Sequence, residues 1–330
     1  MECGYYKYRN SLRGIFWQVF LQNNAQPGNH YTFQSVIPLI SVADNISRGR
    51  GIGNLPFDAL RDVKTGGRLM KTVVITGATR GIGLGLAESF LSLGCSVGIC
   101  GRQAARVEET ITALVGKFGP ERVAGFVCDV TRPEQVQDLW DGALKRFGQV
   151  DIWINNAGTA NLQMDFWEQQ PAEMERVVTA NLLGAMYGSR TALRGMLTQG
   201  FGAVYNMEGL GSQGTKIKGL ALYGTTKAGI RYFTEALAQE IAGSPVIIGA
   251  LSPGMVATDL IYAQYENKPE ELAKFRPIFN ILGDKVETVT PWLAKQVLEN
   301  TKNGARIQWM KPWTAPMRFL SAPFKKRDIL

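Results

Sequence analysis

A tyrosine and a lysine stand four residues apart in the run GLALYGTTK, as Tyr223 and Lys227. The apolar spacing around them predicts a helix over about 223–242, and on a helix residues i and i+4 share a face. An ammonium group then lies one turn from a phenol. A neighbouring cation favours the phenolate and lowers a tyrosine pKa from about 10 toward working pH. A phenol tuned this way can serve as a general acid. The plain alternative is a solvated surface pair.

A second stretch carries its own chemistry. TGATRGIG (76–83) follows the apolar run KTVVIT (71–76) directly. A strand, a glycine-rich turn and a helix N-terminus together make a phosphate site. Gly77 permits the tight turn, Gly81 and Gly83 let backbone approach a pyrophosphate, and the helix dipole favours the negative charge. A glycine-rich turn that binds nothing is the bland reading. Its place at the first strand-to-helix crossing favours a dinucleotide.

The elements that must position these groups alternate along the chain. Apolar runs at 71–76, 95–100, 122–130, 150–155, about 202–206, 245–250 and 305–310 read as strands. Amphipathic stretches at 84–94, 104–119, 133–148, about 171–199, 223–242 and 286–301 read as helices. Thr131, followed three residues later by Glu134, predicts a capping box at the start of the third helix. Strands apolar on both faces and separated by helices mean a parallel sheet covered on both sides. The expected fold is an α/β Rossmann-type, doubly wound sheet, a three-layer αβα sandwich in a single domain. Residues 1–69 show no sustained period and are expected to be a disordered leader or a start assigned too early, with Met70 standing where the folded domain, 70–310, begins. Residues 311–330 form a basic, aromatic tail.

The spacing TGxxxGxG resembles that of the short-chain dehydrogenase/reductase family, and the resemblance recurs in order: Asp129 after the third strand, NNAG (155–158), Asn181 in TANLLGAMYGS, Tyr223-x-x-x-Lys227, and SPGMVATD (252–259). It spans roughly 71–310 and implies strand order 3-2-1-4-5-6-7. It implies a nucleotide held by Thr76, Gly77, Thr79, Arg80, Gly81, Ile82, Gly83, Arg102, Asp129, Val130, Asn156, Ala157, Gly158, Tyr223, Lys227, Pro253, Gly254, Val256 and Thr258. It implies catalysis by Asn181, Ser212, Tyr223 and Lys227, with Lys227 on the ribose hydroxyls. Taken by itself, Asn181 would read as a polar residue on a helix surface. One departure stands out. The family has a serine 12 or 13 residues before the tyrosine, often in a Ser-Ser pair; here Glu208 and Gly209 fill the pair's positions after Asn206, and the nearest serine is Ser212, 11 before Tyr223. Ser212 is expected to orient the substrate oxygen; otherwise it is a turn serine and backbone amides do so.

That departure is itself informative. NMEGLGS followed by YGTTK resembles the chlorophyll b reductase branch of the family, as do IWINNAGT, LSPGMVATDL and FNIL. The branch reduces the 7-formyl group of chlorophyll b to hydroxymethyl. The resemblance therefore implies a chlorophyll(ide) b substrate. A 3-oxoacyl thioester or another ketone or aldehyde is the alternative, and a non-catalytic dinucleotide sensor is a third reading. The second strand ends in CGR, with Arg102 where NAD-preferring relatives carry an acid. Arg102 and Arg80 could pair with a 2′-phosphate, so NADPH is expected as cofactor, unless both arginines make surface ion pairs.

Composition bounds the rest. The chain has 330 residues with 45% hydrophobic and 19% charged, and no apolar run reaches the ~20 residues of a membrane span. The formal charge of +8 lives in the ends: eight Lys and Arg against four Asp and Glu in 1–69, six against one in 305–330, and 22 against 23 between. A nearly neutral body argues against nucleic acid as a partner. With His30 as the one histidine, a Ser-His-Asp triad or a histidine metal cluster is not expected, and no metal is assigned. Cys95, Cys100 and Cys128 fall in or beside apolar runs and read as buried, reduced thiols. The tail interleaves Trp309, Trp313, Phe319 and Phe324 with Lys311, Arg318, Lys325, Lys326 and Arg327. That mixture suits a membrane interface, or else the aromatics cover a core or subunit contact while the cations stay solvated. The expected setting is cytoplasmic, or peripheral at a photosynthetic membrane (stromal in a plastid), and the resemblance implies a homo-oligomer.

Overall fold

The run TVVI (Thr72–Ile75) forms β1, buried on both faces, and its neighbours explain why. In the computed structural model, which describes residues 70–265, 269–324 and 327–329, β1 pairs in parallel with β2 (Ser96–Gly101) and β4 (Ile152–Asn155). The sheet continues through β3 (Val123–Val127), β5 (Gly202–Met207), β6 (Val246–Ser252) and β7 (Ala305–Gln308). All pairs are parallel, in the order β3-β2-β1-β4-β5-β6-β7, as expected. The order reverses between β1 and β4. Ligand crevices of such sheets open there, beyond the carboxyl ends of the strands.

Side chains alternate across the sheet and build a core on each face. Val73 and Ile75 join the core under α1 (Gly81–Ser92), α2 (Ala104–Phe118) and α9 (Val286–Glu299). Val74 points the other way, with Val136, Trp140, Trp153 and Met196, into the core under α3 (Pro133–Phe147), α5 (Gly184–Gln199) and α6 (Ala221–Glu240). Cys95, Cys100 and Cys128 are buried in these layers, as expected. α1 and α9 pack so closely that a Cβ on Gly85 would lie 2.3 Å from Val286 Cγ1.

Three local expectations need correction. α1 starts at Gly81 rather than 84, because Gly81 adopts a positive φ of 56° and the loop turns straight into the helix. The capping box is absent: Arg132 is the N-cap residue without a side-chain cap, and the Thr131 hydroxyl donates instead to Asp129 Oδ1 at 2.8 Å. The helix expected at 171–199 is two, α4 (Pro171–Val178) and α5, joined through a π-helical turn at Thr179–Leu183. The expectations for 1–69, with Cys3 and His30, lie outside the described residues.

Candidate active site

The phosphate loop is shaped by close backbone approach. Gly77 has φ +63°, and a Cβ there would lie 2.7 Å from Ala157 Cα; one on Gly83 would lie 2.5 Å from both Asn156 Nδ2 and Gly77 O. The Asn156 side chain donates to Thr76 O at 2.9 Å and Gly77 O at 3.0 Å, and Thr76 Oγ1 accepts from the backbone N–H groups of Asn156 and Ala157, both at 3.0 Å. The NNAG turn is thus laced to the glycine loop. α1 has no side-chain cap, so the amides of its first turn stay available to an anion. These features fit a bound dinucleotide: Gly77 and Gly83 let the loop pack against the NNAG turn without a side chain between them, and the loop and the uncapped first turn of α1 border an open cleft.

The loop lines one end of a cleft of about 1530 Å³. Of the residues expected at the site, the cleft is bordered by Gly77, Thr79, Arg80, Gly81, Ile82, Gly83, Arg102, Asp129, Val130, Asn156, Ala157, Gly158, Ser212, Tyr223, Lys227, Pro253, Gly254, Val256 and Thr258. Thr76 and Asn181 stand behind the wall. Asn181, buried in the π turn, accepts from Thr159 N at 2.7 Å and donates to Thr159 O at 2.8 Å and Thr226 Oγ1 at 3.1 Å. It ties the NNAG turn to the helix that carries Tyr223. Arg106 and Arg132 line the cleft together with Arg102, two cations that the motif did not flag. Arg80 pairs with Asp259 at 3.2 Å across exposed surface, so one of the two expected arginines has a surface partner.

Tyr223 and Lys227 lie on the cleft face of α6, both buried, and the Lys227 ammonium is 5.8 Å from the tyrosine ring centroid. Lys227 Nζ donates to Met207 O at 3.1 Å. The expected lowering of the tyrosine is reversed here: burial pushes the Tyr223 phenol up to about 12. Burial also brings Lys227 down to about 8, against the opposing pull of Glu208. Desolvation disfavours both charged forms and outweighs the mutual effect at this separation.

Gly209 sits where the family pattern places a serine. A Cβ there would lie 2.5 Å from Tyr223 Oη, so the phenol occupies that side chain's space. Ser212 reaches the cleft from farther along the turn, and its hydroxyl donates to Glu208 Oε2 at 3.1 Å. Glu208 in turn accepts Arg306 Nη2 at 2.6 Å and Nε at 2.9 Å. Neither Glu208 nor Arg306 was singled out for a role by sequence reasoning. Their 98-residue separation leaves no local signal; a charged residue directly after an apolar strand was the one clue.

The opposite wall is apolar. Tyr265, just past α7 (Asp259–Gln264), and Phe275, Ile278, Phe279 and Leu282 from α8 (Pro269–Leu282) line it, with the Tyr265 and Phe275 rings tilted at 48° and 5.4 Å between centroids. Tyr262, on α7 itself, is not on the cleft and is half exposed. The tail completes the wall through Met310, Lys311, Pro312 and Ala315, ahead of and within α10 (Thr314–Ser321). Buried Asp284 pins it, accepting Trp309 Nε1 at 2.7 Å, Arg318 Nη2 at 2.8 Å and Arg327 Nη2 at 2.5 Å. Two of the five tail cations are therefore held in a partly buried ion cluster on Asp284 rather than standing as free surface charges. Trp309 packs edge-on against Trp292.

A parallel sheet with a glycine-rich phosphate loop at its switch point, and a buried Tyr/Lys pair beside the same cleft, define a nucleotide-dependent oxidoreductase. The chain belongs to the short-chain dehydrogenase family, whose model, described as short chain dehydrogenase, matches residues 71–269. It is thus an NAD(P)-dependent reductase of the short-chain type. It is 38% identical over 254 residues, 76% of this chain and 71% of the relative, to the chloroplastic chlorophyll(ide) b reductase NOL of Oryza sativa subsp. japonica. Among solved structures it is similar to the 3-ketoacyl-(acyl-carrier-protein) reductase from Brucella melitensis complexed with NADH, at 26% identity and TM-score 0.64, covering 73% of this chain and 98% of that one. It is also similar to ElxO with NADP bound, at 25% identity and TM-score 0.63, covering 72% and 96%.

Proposed function

We propose that this protein uses NADPH to reduce the 7-formyl group of chlorophyll(ide) b to hydroxymethyl. The observation that carries the reductase chemistry is the burial of Tyr223 and Lys227 together on the cleft face of one helix. Burying an ammonium is costly, and a sensor that only held a dinucleotide would gain nothing from it. When bound, the nicotinamide supplies the hydride that reaches the carbonyl carbon. Tyr223 gives its proton to the carbonyl oxygen. Lys227 holds the ribose hydroxyls and stabilises the phenolate left behind. Asn181 supports the turn and the proton path beside Lys227. Ser212 orients the oxygen. Its single proton lies on Glu208, so it must turn from Glu208 to donate to the carbonyl.

The substrate reading is supported by the aromatic wall of Tyr265, Phe275 and Phe279, which suits a flat macrocycle, and by the 38% identity to a relative named for chlorophyll(ide) b. NADPH over NADH is supported by Arg102, Arg106 and Arg132 in the cleft wall. Among the described residues Arg102 makes no ion pair. The second reading, reduction of a 3-oxoacyl thioester, is favoured by the likeness to the Brucella enzyme. The exposed Trp313, Met317, Leu320 and Phe324 fall at helical spacing on the tail, beside the cleft mouth, and suit peripheral contact with a photosynthetic membrane, from the stroma in a plastid. No helix among the described residues is long and apolar enough to cross one.

The test is an absorbance assay of the full chain with NADPH and chlorophyllide b. The pigment spectrum is expected to move toward the 7-hydroxymethyl product and to stay still with Tyr223→Phe. An unchanged spectrum with wild-type protein that still binds NADPH would remove the pigment as substrate.

A further inference from the structure

Glu208 directly follows β5 with a wholly buried side chain and has three jobs within one turn of chain. Its carboxylate takes the Arg306 guanidinium in a fork, with Nε at 3.0 and 2.9 Å and Nη2 at 2.6 Å. The same Oε2 accepts the Ser212 hydroxyl at 3.1 Å. Its backbone neighbours hold the reacting pair: Met207 O accepts the Lys227 ammonium, and Gly209 backs the Tyr223 hydroxyl. Arg306 is itself fixed, donating to Gln308 Oε1 at 2.6 Å and Ser252 Oγ at 3.3 Å. β5, β6 and β7 are already joined by their backbone ladders, so the ion pair is not needed to hold the sheet together. A buried ion pair is in general no better for stability than apolar residues of the same volume.

We propose that Glu208, clamped by Arg306, is a positioning residue for the reduction: it fixes the 207–212 turn under Lys227 and Tyr223, holds Ser212 by its proton, and sets a negative charge beside the Lys227 ammonium. The proposal rests on the reading of Tyr223 and Lys227 as the reducing pair. Glu208 counters the burial that draws Lys227 down, which keeps the ammonium charged nearer neutral pH. The other titratable and charged groups around it are the neutral phenol of Tyr223 and the guanidinium of Arg231 on α6, Glu235, which pairs with Arg231 at 2.8 Å, and Arg306 on β7. Arg231 also approaches the turn, with Nη1 3.4 Å from Ser212 O. A cavity of about 30 Å³ between Glu208, Arg231, Glu235 and Arg306 backs the clamp.

The experiment compares pH profiles of kcat/KM with NADPH and chlorophyllide b for wild type, Glu208→Gln, Glu208→Asp and Arg306→Gln. Profiles of NADP+ affinity, which need no carbonyl substrate, are measured on the same proteins. Glu208→Gln removes the negative charge, so its alkaline limb is expected to begin about one pH unit lower, with kcat down about tenfold. Arg306→Gln removes the neutralising cation and is expected to move the limb the other way, to higher pH. Glu208→Asp is expected to recover most of the rate with the limb near that of wild type. Opposite shifts are something a general loosening of the fold does not produce. Limbs at the wild-type position in both Gln variants, or moved in the same direction, would overturn the proposal. Circular dichroism checks folding; if Glu208→Gln does not fold, Arg306→Gln and Glu208→Asp still give the sign of the shift and the rescue. If wild type leaves chlorophyllide b untouched while the NADP+ profiles shift in opposite directions, the substrate assignment fails and the role of Glu208 stands.

Discussion

At the residue scale, Tyr223 and Lys227 work against their own burial. Tyr223 is pushed up to about 12 and Lys227 down to about 8. Reduction needs the phenol protonated and the ammonium charged, and both hold below about pH 8. The rate of reduction is therefore expected to be level through neutral pH and to fall about tenfold per unit above it, as Lys227 loses its proton before Tyr223 does. A pH–rate profile of kcat/KM checks this; a limb that starts only near 12 would mean that Lys227 need not be charged. The pair was legible from spacing alone, because i and i+4 on a helix settle the shared face. The direction of the tyrosine shift was not, since it depends on how much protein covers the two groups. Nor was the clamp on Ser212: Glu208 read as a missing serine, and its partner Arg306 comes from the last strand of the sheet.

At the element scale, the glycine loop and the NNAG turn act as one piece. Gly83→Ala places a methyl 2.5 Å from Asn156 Nδ2 and from a backbone carbonyl, and neither can yield without breaking the lacing. It is expected to weaken NADPH binding at least tenfold and to destabilise by about 2 kcal/mol, read by titration and urea unfolding. At the end of β2, Arg102→Asp is expected to turn preference from NADPH toward NADH; a variant that kept its NADPH preference would shift the 2′-phosphate to Arg106 or Arg132. Strands and helices were legible because apolar runs and amphipathic stretches alternate so regularly. The missed details are places where tertiary contacts overrode a local signal. Asp129 took the Thr131 hydroxyl from its expected cap, and the π turn widened a helix so that Asn181 could reach Thr159 and Thr226.

At the scale of the whole molecule, the C-terminal tail belongs to the catalytic body, because Asp284 gathers Trp309, Arg318 and Arg327 and so builds part of the cleft wall. Asp284→Ala leaves two partly buried guanidinium groups without their carboxylate. It is expected to lower stability by about 3 kcal/mol in urea unfolding and to raise KM for the carbonyl substrate more than for NADPH. This use of the tail's arginines was hidden in the sequence, where they looked like part of a basic run. Its apolar side remains outward: Leu320 is 77% and Phe324 91% exposed. Leu320→Asp with Phe324→Asp is accordingly expected to abolish sedimentation with anionic lipid vesicles while leaving turnover in detergent unchanged. Equal recovery of both proteins in the supernatant would remove the membrane contact. The central claim, hydride delivery to a carbonyl protonated by Tyr223, is tested most directly with NADPH carrying deuterium at both C4 positions and chlorophyllide b. The account predicts a product with a single deuterium on the new hydroxymethyl carbon and none formed by Tyr223→Phe. Product without deuterium, or labelled product from Tyr223→Phe at the wild-type rate, would contradict it.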